Sequence, residues 1–307
     1  MEGDRTGVGE SDMKRRKRGK QTLKRKMLSI LLLCAMSCIL AVVIVSYMTI
    51  RMIQNDSIQE SMQIYLEQIT REIDSDYYDM IGIVNQMSPN GLIGNVTERY
   101  LSAEDNYDRY FEQKSLREEL IKLGYVNTKL LGIAYYDPKE QKELIGNFNV
   151  RVLDPSYQTI SKVVVGAENI IQAMHASYLG IRETPVLSVM RRVSFGNKRV
   201  LDIYAEMEPD MSVSDRLNKE KWPYTYMELD ENGIVQYSNN PVIVRGQKLL
   251  SELPEKEGYA VTNQEGYKIM AYRSPIGYVN AIALPENTYQ KEMNMWRLKL
   301  LVIILAA

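Results

Sequence analysis

Hydrophobic positions along this 307-residue chain change their spacing from one region to the next, and each spacing predicts an element. Residues 27–50 read MLSILLLCAMSCILAVVIVSYMTI, 24 residues without a charge. As a helix that run is roughly 36 Å long, enough to cross a hydrocarbon core of about 30 Å with some tilt. A cleaved signal peptide has an apolar region of about 7–15 residues and a small-residue cleavage site. The exit of this run, Ser46-Tyr47-Met48, offers no such site. Beyond it the spacing becomes helical: Ile58, Met62, Tyr65, Ile69, Ile73, Tyr77, Met80, Val84 and Met87 recur every three or four positions, with polar residues between. This stripe predicts a long helix over 51–90, packed on its own domain or on a second copy of the chain, and Ser88-Pro89-Asn90-Gly91 ends it.

A second helix is expected from about Ser102 to Leu123, with Tyr110, Leu116, Leu120 and Ile121 inward. The spacing then shortens to the alternation of strands. Leu130 to Tyr136 and Glu143 to Phe148 flank the turn Asp137-Pro138-Lys139-Glu140, and Pro185 to Phe195 and Arg199 to Met207 flank Gly196-Asn197-Lys198. Ser156 to Met174 reads as mixed and helical in part, and a short helix is expected around Val213 to Leu217. The strand pattern then recurs: Tyr224 to Leu229 and Ile234 to Tyr237 about Asp230-Glu231-Asn232-Gly233, followed by Gly258 to Thr262, Tyr267 to Arg273 and Tyr278 to Leu284. Two strand groups, each introduced by helix, predict two α+β modules in tandem.

Charge orients the chain. The formal net charge is −1, yet residues 1–26 hold ten basic and four acidic side chains, and 51–296 carry −9. Lysine and arginine crowd the N-terminal side of the apolar run, so the N-terminus is expected in the cytoplasm and residue 51 onward outside. The basic stub reads as a topology signal that also contacts anionic lipid, and nucleic acid is excluded as a partner of this segment. Trp296-Arg297-Leu298-Lys299 followed by LLVIILAA reads as the start of a second span, with the chain cut inside it. The expected division is a basic stub 1–26, a span 27–50, a long helix 51–90, a membrane-distal module 91–217, a membrane-proximal module 218–290, and 291–307 as juxtamembrane helix and second span.

No catalytic constellation emerges. His175 is the only histidine, which excludes a histidine-rich metal site and makes any Ser-His-Asp triad depend on that one residue. It is expected at the surface or a pocket rim. Cys34 and Cys38 lie inside the apolar run as small packing residues, so no disulfide scaffold is available. Neither phosphate-binding nor dinucleotide glycine motifs occur, and the acidic clusters lack the spacing of a calcium loop. No catalytic residue, metal or cofactor is therefore expected. Binding remains: 21 tyrosines against three phenylalanines favour polar ligands such as sugars, which use a stacking face and a hydroxyl together. The candidate pocket lies in the first module, where Tyr135, Tyr136, Arg191, Asp202 and Tyr204 are the proposed ligand contacts; cross-strand pairs and surface charges are the alternative reading of the same residues.

The layout resembles the double Cache (dCache) sensor region, built of two PAS-like antiparallel modules, of YesM-type sensor histidine kinases from Gram-positive bacteria. The residues that carry the resemblance are Leu66 to Asp74 (LEQITREID), Ser188 to Val193 (SVMRRV), Glu228 to Tyr237 (ELDENGIVQY) and Gly277 to Pro285 (GYVNAIALP). The resemblance implies a membrane-anchored α+β fold, a long transmembrane and signal helix followed by the two modules, and a homodimer in the cell membrane. It implies an extracellular small molecule or solute-binding protein as the signal, with a kinase and response regulator reached only through a cytoplasmic part absent from these residues. His175 does not fit a phosphoacceptor, because it falls in the outer domain. The Arg-x-Trp-Tyr pattern of amino-acid receptors is absent, so an amino-acid ligand is not expected. The alternative is the outer region of a membrane-tethered helix-turn-helix transcription regulator, another Cache-type receptor, or an adhesion or scaffold module without signalling output.

Overall fold

The structure, a computed structural model, describes residues 8–147, 168–179, 185–196, 198–210, 223–230, 232–254 and 258–288, with single positions between 291 and 302. The expected helix at 213–217 and most of the expected second span lie outside the described residues. The chain divides into two units, one of residues 1–60 with 289–307 and one of residues 61–288.

In the first unit the apolar run is helical, as the N-terminal part of α1 (Val8–Met87). Its large apolar side chains stand outward, with Leu31 70% and Leu33 71% exposed. A core helix of a water-soluble domain buries such a face. Among the described residues this is the one helix long and apolar enough to cross a membrane.

In the second unit α1 buries Met62, Leu66, Ile69, Ile73, Tyr77, Met80, Val84 and Met87. From residue 62 onward the helical stripe is thus covered by the unit's own residues, with Tyr65 half-buried. The helix stops where Gly91 N–H donates to the Ser88 carbonyl at 2.7 Å. A Cβ at Gly91 would stand 2.2 Å from the Gln86 carbonyl oxygen, so the tight exit requires glycine.

The helix expected from about Ser102 to Leu123 forms as α3 (Asn106–Val126), and a separate helix, α2 (Leu92–Ser102), precedes it. Asp105 sets the boundary by accepting the Asp108 backbone N–H at 2.7 Å, an N-cap that starts a new helix. Leu116 and Leu120 are buried as expected, but Tyr110 is 62% exposed. Six residues before Leu116 a side chain points about 120° away from that face.

Two five-stranded antiparallel sheets follow. The first comprises β1 (Leu130–Asp137), β2 (Lys142–Gly146), β3 (Ile170–Ala176), β4 (Pro185–Ser194) and β5 (Val200–Met207), in the order β2-β1-β5-β4-β3. The second comprises β6 (Thr225–Leu229), β7 (Val235–Ser238), β8 (Tyr259–Gln264), β9 (Tyr267–Arg273) and β10 (Val279–Pro285), in the same relative order, β7-β6-β10-β9-β8. Of Ser156 to Met174, read as mixed and helical in part, residues 156–167 lie outside the described residues and Ile170 onward is strand, with Ile170 and Gln172 paired to Met190 and Ser188 of β4. The sequence-predicted turns join the strands; Gly233 at φ 76° completes one, its N–H donating to the Asp230 carbonyl at 3.0 Å.

Alternation gives each sheet two faces. In the first sheet Tyr135 donates to the Met87 carbonyl at 2.5 Å and Arg191 to Asn85 Oδ1 at 2.9 Å, so their face meets α1. In the second sheet Asn280 donates to Thr70 Oγ1 of α1 at 2.9 Å, while the opposite face buries Met227, Leu229, Ile269 and Ala281 with Leu249 and Leu250.

Candidate functional site

On the face of the first sheet turned away from α1, register brings together residues far apart in sequence. Arg192 lies opposite Asp202, Met190 opposite Tyr204 and Ser188 opposite Glu206, while Tyr136 of β1 pairs with Asp202 from the other side. Tyr136, Met190 and Tyr204 form a buried apolar centre with Leu179, against which Ile170 and Tyr178 pack.

Charged groups flank that centre. Arg192 grips Asp202 with two hydrogen bonds, Nε to Oδ1 at 2.6 Å and a terminal nitrogen to Oδ2 at 2.8 Å. Asp202 is fully buried and Arg192 nearly so, which makes this a strong, directional pair. Further along β5 the buried Glu206 accepts from the Tyr178 N–H (2.6 Å), the Leu179 N–H (3.2 Å), the Tyr204 hydroxyl (2.8 Å) and Ser177 Oγ (2.5 Å). Burial pushes its carboxyl above the ordinary glutamate range, and the four donors partly restore the charged form. Glu206 thereby ties residues 177–179 down over the apolar centre.

His175 is buried at 8% exposure rather than at the surface, and it does line a cleft rim. Its Nδ1 stands 2.6 Å from the Ala176 carbonyl, which can only accept, so Nδ1 carries the proton and Nε2 accepts from Ser188 Oγ at 2.7 Å. The ring stacks on Tyr178 with centroids 4.1 Å apart. Burial lowers its pKa, which favours the neutral ring.

Of the five residues singled out from sequence, Tyr136, Asp202 and Tyr204 share this face. Tyr135 and Arg191 lie on the opposite face, bonded to α1. Adjacent strand residues point to opposite sides, so Tyr135 cannot join Tyr136, and the hairpin register selects Arg192 instead of Arg191. Glu206 was legible in principle, since Asp202, Tyr204 and Glu206 are successive same-face positions of β5. His175, Ser188 and Tyr178 carried no such signal.

A second polar cluster joins the modules to α1. Glu228 of β6 is fully buried, and its Oε2 accepts the Met174 N–H of β3 at 2.6 Å. The Tyr226 hydroxyl lies 2.9 Å from Glu228 Oε1 and 2.7 Å from Asn280 Oδ1. A phenol has one proton to give, so with the Asn280 amide oriented to donate to Thr70, both contacts are hydrogen bonds when Glu228 is itself protonated and donates to Tyr226. Burial acts in the same sense, raising the Glu228 pKa to about 7. On α1, Asp74 accepts from Ser274 Oγ (2.6 Å) and the Tyr278 hydroxyl (2.7 Å), and Tyr77 donates to the Gln172 carbonyl of β3 at 2.5 Å. Among the described residues no group of three or more His, Cys, Asp and Glu is placed to hold a metal. The arrangement is suited to binding and to mechanical coupling; its hydroxyl–imidazole pair, Ser188 with His175, is buried, and the other ring nitrogen is held by the Ala176 carbonyl and not by a carboxylate.

No protein-family model matches the chain, and no curated protein matches it. Solved structures do. The extracellular domain of rpHK1S-Z16, a candidate histidine kinase, superposes with a TM-score of 0.51 at 15% identity, over 78% of this chain and 98% of that one. The chain therefore has a dCache-like α+β fold. The sensor domain of the histidine kinase DctB from V. cholerae gives 0.47 at 12% identity, covering 76% of this chain and 98% of its own. The ligand-binding domain of Mlp24, solved with asparagine, gives 0.49 at 12% identity, covering 78% and 97%.

Proposed function

We propose that this chain is the membrane-anchored, extracytoplasmic sensing region of a signalling receptor. In this reading a small polar molecule, or a solute-binding protein that delivers one, acts at the first module. The output passes through α1, in a homodimer, to a cytoplasmic histidine kinase and its response regulator. Proposed limits are 91–217 for the first module and 218–290 for the second, with residues 51–296 outside the cell membrane. The candidate contacts are Tyr136, Asp202 and Tyr204 with Arg192 and Glu206.

One observation carries the reading. The helix that contains the apolar run also supplies Thr70, Asp74 and Tyr77, which bond β10, the β9–β10 turn and β3. A ligand that binds two arrangements of the sheets with different affinity biases those bonds; one that binds both equally shifts nothing.

The test uses the whole chain in lipid nanodiscs, screened by thermal unfolding against sugars, sugar acids and amino acids, alone and with solute-binding proteins. A sensor gives at least one ligand that raises the unfolding midpoint by linkage and also changes amide exchange in residues 61–87. Ligands that raise the midpoint but leave exchange in α1 unchanged refute the coupling.

A further inference from the structure

Between β3 of the first module and the turns of the second lies a cleft of about 630 Å³. Its walls include Asn169, His175 and Tyr178 on one side and Asp230, Arg245 and Tyr278 on the other. A neighbouring cleft of about 350 Å³ shares His175 and Arg245 with it. This place adjoins the face built on Tyr136, Asp202 and Tyr204 through Tyr178 and His175, but none of those three residues lines it.

Its polar groups are unevenly satisfied. Asp230 is occupied by its own turn, accepting the backbone N–H groups of Asn232 (2.8 Å) and Ile234 (2.9 Å) and the Gln236 amide (3.3 Å). Arg245 is exposed and has no ion pair or hydrogen bond among the described residues, so it is the free charge of the cleft. Asn169 Oδ1 is shielded from solvent yet accepts no hydrogen bond there, an arrangement that costs free energy until a donor arrives. A guanidinium fork fits a carboxylate, and an orphaned amide oxygen fits a hydroxyl. The Tyr178 ring, backed by the stacked His175, gives the wall a flat apolar surface for a carbon skeleton.

We propose that this seam is a ligand site of its own, which takes a small polyhydroxylated carboxylate between Arg245 and Asn169. Its occupant touches Gln172, Met174 and Tyr278 as well, and through them the bonds to Tyr77, Glu228 and Asp74. It is thus placed to act on the same helix contacts as a ligand at the first module, by a separate route.

Three probes of similar size separate the two recognition elements: D-gluconate has both, D-glucitol lacks the carboxylate, and hexanoate lacks the hydroxyls. With the full chain in nanodiscs, gluconate raises the unfolding midpoint along a saturable curve, and each of the other two is at least about tenfold weaker. Arg245→Gln weakens gluconate by about tenfold or more, and Asn232→Trp, which fills the cleft, abolishes its effect. Lys122→Gln, with the same change in net charge on a distant exposed helix position, leaves the curve in place. The proposal is overturned if gluconate gives no saturable shift, if glucitol or hexanoate matches it, or if Arg245→Gln binds as the parent does. None of these outcomes depends on whether another ligand changes exchange in α1, so the two readings fail separately.

Discussion

Replacing Glu228 with glutamine should make the protein more stable, but only above mildly acidic pH. The carboxyl is fully buried, and burial raises its pKa from the ordinary 4.5 to about 7. Below about pH 4.5 both folded and unfolded chains hold the proton and nothing is lost. Between 4.5 and 7 the unfolded chain releases it while the folded one retains it, so stability falls as pH rises, and the loss is complete above about 7. The difference between those values corresponds to about 3 kcal/mol. For a cooperative unit the size of residues 61–288, that is about 6–12 °C in the unfolding midpoint. Glutamine is close to the protonated acid in shape; its amide can donate to Tyr226 while its oxygen accepts from Met174. The assay is calorimetric unfolding of parent and Glu228→Gln from pH 5 to pH 8. Glu206 and Asp74, whose pKa values are also raised by burial, are common to both proteins and largely cancel in the difference. The two midpoints should nearly coincide at pH 5 and separate by several degrees at pH 8, with the variant higher. Parallel curves, or a variant that is less stable at pH 8, refute a protonated Glu228 in the fold.

Other substitutions test the frame around it. Arg192→Ala strands the Asp202 carboxylate at zero exposure and should cost about 3–5 kcal/mol in urea unfolding. Tyr135→Phe removes only the hydroxyl that reaches the Met87 carbonyl, so a loss of about 1 kcal/mol is expected by the same measurement, with the fold retained. Two glycines with positive φ separate backbone strain from crowding. Gly277→Ala meets no atom within 4 Å and should cost about 1–2 kcal/mol, whereas Gly233→Ala places Cβ 2.4 Å from the Leu250 carbonyl oxygen and should cost clearly more.

What the sequence disclosed follows from how local each signal is. The stripe from Met62 to Met87 was readable because a 3.6-residue period sustained over seven turns has few alternative explanations. The hairpins were readable because Gly, Pro, Asn and Asp cluster between the strand runs, with Gly233 and Gly277 at positive φ. Strand β3 was hidden, since Ile170 to Ala176 is neither alternating nor bounded by strong turns and owes its conformation to pairing with β4. The site was half visible for a geometric reason. Alternation along Leu201 to Glu206 shows which residues share a face, but the choice between Arg191 and Arg192 is made by the hairpin register around Lys198, whose φ of 64° no motif announces. Of the Glu228 cluster only the same-face pair Tyr226 and Glu228 is local; its other hydrogen bonds join positions 54 and 210 residues apart.

The shared strand order of the two sheets bears on how the protein is made. In each, the central strand is the last one synthesised: β5 enters between β1 and β4, and β10 between β6 and β9. An emerging chain therefore holds four strands of a module as two unjoined pairs, β1 with β2 and β3 with β4 in the first case, until the fifth arrives to bridge them. Residues 61–87 appear before either sheet exists; the first sheet covers the Asn85–Met87 end once β5 is made, and the part around Thr70 waits through about 200 further residues for Asn280 of β10. Biogenesis of this domain thus has two closing events at fixed points in translation, at Met207 and Pro285, and the interval before each is when the nascent chain is most exposed to mispairing and to chaperones.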